Sequence, residues 1–89
     1  MLEKELTVSN RLGLHARATA KLVQVVSAFR ANATLVAKGR EVNAKSIMGV
    51  MLLAAGQGTP VTVRVDGEDE GAALEAITAL FERRFDEDN

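Results

Sequence analysis

The sequence predicts an α+β fold in which one β-sheet packs against helices on a single face. Along the chain, the spacing of apolar residues changes between a period of two and a period of 3.6, in the order strand, helix, strand, strand, helix, strand, helix. Each predicted element has one apolar side, and a sheet backed by helices buries all of these sides in two layers. At 89 residues, the chain is expected to form a single domain, residues 1–89.

The first half of the chain contains three predicted strands and one long helix. Apolar and polar residues alternate over 2–8, which predicts a strand. A helix is predicted from Ala16 to about Phe29 because apolar residues recur there at helical spacing, at Ala18, Leu22, Val25 and Val26. Two short strands are predicted over 32–37 and 40–43, with Lys38-Gly39 as the hairpin turn between them.

The second half adds a short helix, a strand and a last long helix. Ser46 is the predicted N-cap of a helix over 47–54, and glycines and a proline follow it. Valines alternate with polar residues over 61–66, as in a half-buried strand. The last helix is predicted to begin with Glu68, Asp69 and Glu70, to bury Leu74, Ile77, Leu80 and Phe81, and to end near Arg83 and Arg84. The tail over 86–89 is expected to be frayed.

Composition excludes several classes of function. Eleven basic and twelve acidic residues give a net charge of −1, which argues against nucleic acid as the main partner. Because the chain has no cysteine, disulfides, thiolate metal sites and thiol catalysis are excluded. No apolar run approaches the ~20 residues of a membrane span, and the N-terminus does not resemble a signal segment. We therefore expect a cytoplasmic protein that binds no membrane.

The only histidine, His15, stands where the loop after the first strand meets the first long helix. Backbone N–H groups at a helix start lack internal partners and, with the helix dipole, favour an anion. A neutral imidazole has one nitrogen free to act as a nucleophile, and Arg17 is placed to bind phosphate oxygens. By position alone, a surface or capping histidine is the commoner role. A metal site is not supported, since no cysteine or nearby acidic cluster supplies further ligands.

Two segments of the sequence resemble the HPr family, the histidine-containing phosphocarriers of the bacterial phosphoenolpyruvate-dependent phosphotransferase system. The segment 13–17, Gly-Leu-His-Ala-Arg, is similar to the family's active-site segment. The segment 45–51, Lys-Ser-Ile-Met-Gly-Val-Met, continues into Leu-Leu-Ala-Ala-Gly and is similar to the family's regulatory serine region. The resemblance extends over the whole chain, including its length and element order.

The resemblance implies both a topology and a chemistry. The topology is an open-faced β-sandwich, with four antiparallel strands in the order 1-4-2-3 and three helices on one face. The chemistry is transfer of a phosphoryl group from phosphorylated enzyme I to Nδ1 of His15, and from there to an enzyme II A component. Arg17 would stabilise the phosphate, and no metal or cofactor is expected. The chain would be a carrier and not an enzyme.

One residue departs from the family pattern. The family usually has proline directly after the arginine, and here the residue is Ala18. Alanine is a good helix former, so we expect the helix start to be kept. The departure predicts an altered transfer rate and not a loss of function.

Ser46 has two interpretations. It is an N-cap by its position, and the resemblance adds phosphorylation by an HPr kinase. A phosphate at a helix N-terminus is tolerated by the dipole, and its charge would oppose the docking of partners.

A docking surface is predicted on two helices. A helix of two turns cannot bury every side, and Val50 and Leu53 suit the inner face. The predicted docking residues are Ile47, Met48 and Met51, completed by Ala16, Ala20 and Gln24 on the first long helix. Methionine suits a surface that must fit several partners.

Other functions remain open at this point. One alternative is a regulatory docking module of the same fold that acts without phosphotransfer, and another is a ligand-sensing α/β domain that does not need His15. A hydrolase is poorly supported, because one histidine without an acid or serine partner is too little machinery. The sequence leaves open whether the sugar or the nitrogen-related branch is served, and a monomer is the default expectation.

Overall fold

The computed structural model of the chain describes residues 1–87. Its strands are β1 (Leu2–Thr7), β2 (Asn32–Ala37), β3 (Arg40–Asn43) and β4 (Pro60–Asp66), and its helices are α1 (Ala16–Ser27), α2 (Ile47–Leu52) and α3 (Glu70–Glu82), followed by a 3-10 turn over Arg84–Asp86. The α+β fold and the order of its elements are confirmed. No helix formed by residues 1–87 is long and apolar enough to cross a membrane.

The four strands form one sheet in the order β1-β4-β2-β3, and every neighbouring pair is antiparallel. Leu35 lies at the centre, opposite Val63 on one side and Val42 on the other. One sheet face is buried and is lined by Ala33, Leu35, Ala37, Val61, Val63 and Val65. Arg64 lies on the other face and pairs with Glu3 and Glu41 at 2.7 and 3.0 Å. This is the open-faced arrangement with the strand order that the resemblance implied.

The three helices cover the buried face of the sheet. Their inward side chains, which are fully buried, are Leu22 and Val26 of α1, Val50 of α2, and Ile77, Leu80 and Phe81 of α3. Burying an aliphatic or aromatic side chain of this size contributes about 1.5–3 kcal/mol. The apolar stripes read from the sequence therefore meet in one core.

Three elements end earlier than predicted. β1 stops at Thr7 and not at Val8, because the Val8 carbonyl accepts the N–H of Gly58 and not that of Thr59, whose N–H donates to Gly56 within the preceding turn. α1 ends at Ser27 and not near Phe29, since the last N–H groups bond three residues back, as Phe29 does to Val26. α2 ends at Leu52 and not near Ala54, whose φ of +49° leaves the helical region.

The C-terminal region also differs from the prediction. α3 begins at Glu70 and not at Glu68, because the Asp69 carboxylate accepts hydrogen bonds from backbone N–H groups outside the helix. The expected fraying is wrong for Asp86 and Glu87, which make side-chain contacts, while residues 88–89 lie outside the described residues. Phe85 escaped the sequence analysis: it is buried, with its ring centre 4.9 Å from that of Phe81.

Candidate functional site

His15 is the N-cap of α1. Its backbone is extended, with φ −77° and ψ −179°, and its carbonyl accepts the N–H of Thr19 at 2.8 Å. The half-buried imidazole makes no capping hydrogen bond to the helix. Because the first N–H groups of a helix have no intrahelical acceptors, those of Ala16, Arg17 and Ala18 form the positive end of the dipole. The first turn has no acidic residue to neutralise that end.

A cavity of about 530 Å³ opens beside His15. One wall is formed by Leu12, His15, Ala16 and Arg17, and the other by Phe85, Asp86 and Glu87. The structure thus brings the predicted pair, His15 and Arg17, into one cavity, and it adds a second wall that the sequence analysis missed. No local pattern could have indicated that wall, since about 70 residues separate it from the first.

The two carboxylates of the second wall are held in different ways. Asp86 pairs with Lys21 at 3.2 Å and with Arg83 at 2.8 Å. The hydrogen bond from Lys21, followed by that from Arg83, holds the pKa of Asp86 below its ordinary value. The Glu87 carboxylate accepts the backbone N–H of Leu12, with oxygens at 3.2 and 3.4 Å. The Asp86 charge is therefore offset by two cations, whereas Arg17 is exposed and lines the cavity.

The loop before His15 packs tightly on the loop after α2. Gly13 has a φ of +67°, and a Cβ atom there would lie 2.5 Å from the carbonyl oxygen of Ala55. That same oxygen accepts the N–H of Leu14 at 2.9 Å. Ala18, where the family usually has proline, is fully buried. The glycine is required here by a left-handed φ and by close approach of two backbones.

Ser46 is the N-cap of α2, as predicted. Its Oγ accepts the N–H of Gly49 at 3.0 Å, and its carbonyl accepts the N–H of Val50 at 3.0 Å. The serine is half-buried. The second motif of the sequence therefore also lies at the start of a helix.

The predicted docking residues are exposed on two helices that pack against each other. Ile47, Met48 and Met51 of α2 are 46, 73 and 42% exposed, while Val50 and Leu53 are buried. Ala16, Ala20 and Gln24 are exposed on α1. Leu52, 61% exposed, belongs to the same apolar side of α2 and was not among the predicted docking residues.

The chain is similar to known proteins over its whole length. A family model described as "PTS HPr component phosphorylation site" matches residues 2–83. A phosphocarrier protein HPr of Xylella fastidiosa is 72% identical over 88 residues, which cover 99% of each chain. A crystal structure of HPr-C-His from Thermoanaerobacter tengcongensis superposes with a TM-score of 0.96 at 39% identity, covering both chains fully. A crystal structure of an HPr dimer from the same organism gives 0.79 at 40% identity, covering 98% of this chain and all of that one.

These likenesses agree with the family resemblance stated from the sequence. The family model and the relative each cover far more than half of the chain, at an identity well above that of chance. The chain therefore belongs to the HPr family of phosphocarrier proteins of the phosphotransferase system.

Proposed function

We propose that His15 accepts a phosphoryl group from phosphorylated enzyme I, ultimately from phosphoenolpyruvate, and passes it to an enzyme II A component. The observation that supports this most directly is the placement of His15. Its imidazole makes no capping bond, stands at the N-terminus of α1, and shares an open cavity with the Arg17 guanidinium. An imidazole so placed can be reached by a second protein, which a buried one could not.

The transfer step balances without a cofactor. The lone pair of His15 Nδ1, the nitrogen that the resemblance assigns, attacks the phosphorus while the bond from phosphorus to the donor atom of enzyme I breaks and leaves its electron pair on that atom. Attack requires the neutral imidazole with its proton on Nε2, because Nδ1 must be unprotonated to have a free lone pair. The backbone N–H groups at the start of α1 and the guanidinium group of Arg17 would bind the phosphoryl oxygens. In-line geometry is the main requirement of such a step.

The docking surface proposed for both partners consists of Ile47, Met48 and Met51 of α2 with Ala16, Ala20 and Gln24 of α1. A carrier must leave each partner quickly, so an interface below about 1,200 Å² is expected. Exposed methionines favour such use, because an unbranched, polarisable side chain adapts to differently shaped surfaces.

Ser46 is proposed as a regulatory site for an HPr kinase. Its Oγ accepts the Gly49 N–H, and a phosphoryl oxygen could accept the same donor, so the helix start would survive modification. The added charge beside an apolar docking surface would weaken partner binding.

We further propose that residues 1–89 act as one HPr domain, as a monomer in the cytoplasm. The HPr dimer from Thermoanaerobacter tengcongensis makes self-association worth measuring directly. Light scattering over a range of concentrations decides this, and a mass of two chains at micromolar concentration would contradict the proposal.

Intact-protein mass tests the phosphorylation site. The chain is mixed with phosphoenolpyruvate, Mg²⁺ and enzyme I, beside a His15→Ala variant. The expected result is an acid-labile gain of one phosphoryl group that the variant lacks. No gain, with an enzyme I shown to phosphorylate a known carrier, would reject the proposal and would favour docking without phosphotransfer.

A further inference from the structure

Two polar side chains are fully buried within residues 1–87, those of Asn10 and Thr19, and both contact the loop that ends at His15. Every other buried residue in this range is apolar or glycine. Buried polar groups in a small core are unfavourable unless they are hydrogen-bonded. Their shared position next to His15 therefore calls for a reason.

Asn10 closes the turn before His15. Its Nδ2 donates to the carbonyl oxygen of Gly13 at 2.8 Å, and the same oxygen accepts the backbone N–H of His15 at 2.9 Å. The Asn10 carbonyl in turn accepts the N–H of Gly13 at 3.2 Å. The two peptide groups on either side of Gly13 are thus held by one side-chain hydrogen bond and two backbone hydrogen bonds.

Thr19 holds the next two carbonyls from inside α1. Its Oγ1 donates to the carbonyl oxygen of Leu14 at 3.1 Å, and its backbone N–H donates to that of His15 at 2.8 Å. The N–H of Leu14 is bound by Ala55 at 2.9 Å. Three successive carbonyls, those of residues 13, 14 and 15, therefore each accept a hydrogen bond from Asn10 or Thr19.

Stability alone does not explain these residues. The Oδ1 atom of Asn10 is buried and accepts no hydrogen bond from any group within residues 1–87. A buried amide whose oxygen accepts no hydrogen bond opposes folding. At position 19, valine would have almost the same shape as threonine and no hydroxyl to bury. Both positions would suit an apolar residue if only the core mattered.

We infer that Asn10 and Thr19 are positioning residues that fix the backbone of His15, and so place its imidazole relative to the α1 N-terminus and Arg17 before a partner docks. This inference rests on the proposed phosphotransfer at His15. When the backbone is held, the ring can move only about its own side-chain bonds, and the in-line geometry costs less to reach. Neither residue belongs to the proposed docking surface, and both are inaccessible to a partner.

The test is single-turnover transfer from phosphorylated enzyme I, measured by rapid quench over a range of carrier concentrations. It gives a maximal rate constant and a half-saturating concentration for each variant. For Thr19→Val and Asn10→Ala we expect the maximal rate constant to fall on the order of tenfold to a hundredfold, because small misplacements of a reacting group have effects of this size. The half-saturating concentration should stay unchanged, and Thr19→Ser, which keeps the hydroxyl, should restore most of the rate.

Thr78→Val is the matched control, since it makes the same change on a half-buried residue of α3. Thermal unfolding shows whether each variant is folded at the assay temperature. If Asn10→Ala is unfolded, Thr19→Val alone tests the inference. An unchanged maximal rate in Thr19→Val, an equal loss in Thr78→Val, or a change confined to the half-saturating concentration overturns the inference and leaves phosphotransfer intact. A wild-type chain that accepts no phosphoryl group overturns both.

Discussion

Replacing Gly13 by alanine should destabilise the fold and displace the loop that holds His15. Gly13 has a φ of +67°, and an L-residue in the left-handed region costs about 1–2 kcal/mol. The new Cβ would meet the Ala55 oxygen at 2.5 Å and the Gly56 Cα at 2.7 Å, both of them backbone atoms that cannot rotate away. Moving them apart also sacrifices the bond from Leu14 to Ala55, worth about 0.5–1.5 kcal/mol. The free energy of unfolding should therefore fall by roughly 1.5–3.5 kcal/mol.

Two other glycines separate the contributions. Gly58 has a φ of +89° with open space around its Cα, so Gly58→Ala measures the backbone conformation alone, about 1–2 kcal/mol. Gly71 lies in α3 with open space and no unusual φ, so Gly71→Ala should stabilise by about 0.5–1 kcal/mol. Urea denaturation gives the free energy of unfolding of all three variants, provided that its dependence on urea concentration is the same for each variant.

The order expected is Gly13→Ala least stable, then Gly58→Ala, then wild type, then Gly71→Ala. If Gly13→Ala and Gly58→Ala lose equal stability, the close approach of the two loops contributes nothing and the reasoning fails. Gly13→Ala should also slow phosphoryl transfer, because the loop that it displaces leads directly to His15.

Four further predictions concern single side chains. Arg17→Lys should slow transfer to His15 by about tenfold or more, because lysine keeps the charge but lacks the paired N–H donors of the planar guanidinium. An equal rate would show that these paired donors are not used. Ser46→Ala should lower stability by about 1 kcal/mol through loss of the cap, whereas Ser46→Asp should keep the cap and raise the half-saturating concentration for enzyme I; equal binding by both variants would remove the regulatory proposal. Met48→Gln should raise that concentration and leave the melting temperature unchanged, because the side chain is 73% exposed. The same change at Leu2, which lies outside the proposed docking surface, should leave the half-saturating concentration unchanged. The pKa of Asp69 is lowered by hydrogen bonds from the backbone N–H groups of Arg30 and Ala31. The ionised carboxylate therefore stabilises the fold fully above the ordinary carboxyl pKa of about 4, and this stabilisation is lost as the pH falls below that value. Asp69→Asn should lose less stability than the wild type between pH 7 and pH 3, and an unchanged pH dependence would refute this.

The acidic second wall of the cavity bears on phosphate binding. Glu87 lines the same cavity as His15 and Arg17, and like charges disfavour one another across a short distance. A phosphoryl group on His15, as proposed, would add negative charge to the cavity that this carboxylate lines.

Local patterns in the sequence determined most of the secondary structure and pointed to His15. Strand and helix periods depend only on the spacing of neighbouring residues, so every strand and α-helix was predicted in the right order. The bounds of several elements differed, and the 3-10 turn over Arg84–Asp86 was not predicted. The start of α1 at Ala16 and the capping role of Ser46 follow from the same local signals. The sheet order came from the family resemblance, because periodicity alone does not say which strands pair.

Only the tertiary structure decided what surrounds His15. The wall formed by Phe85, Asp86 and Glu87, the contact of Gly13 with Ala55, and the burial of Asn10 and Thr19 all depend on which residues meet in space. Thr19 lies three residues before Leu22, on the buried side of α1, and its spacing could have placed it in the core but not beside the Leu14 carbonyl. Hydrogen-bond partners and close approaches of this kind join distant parts of the chain, and a local pattern does not contain that information.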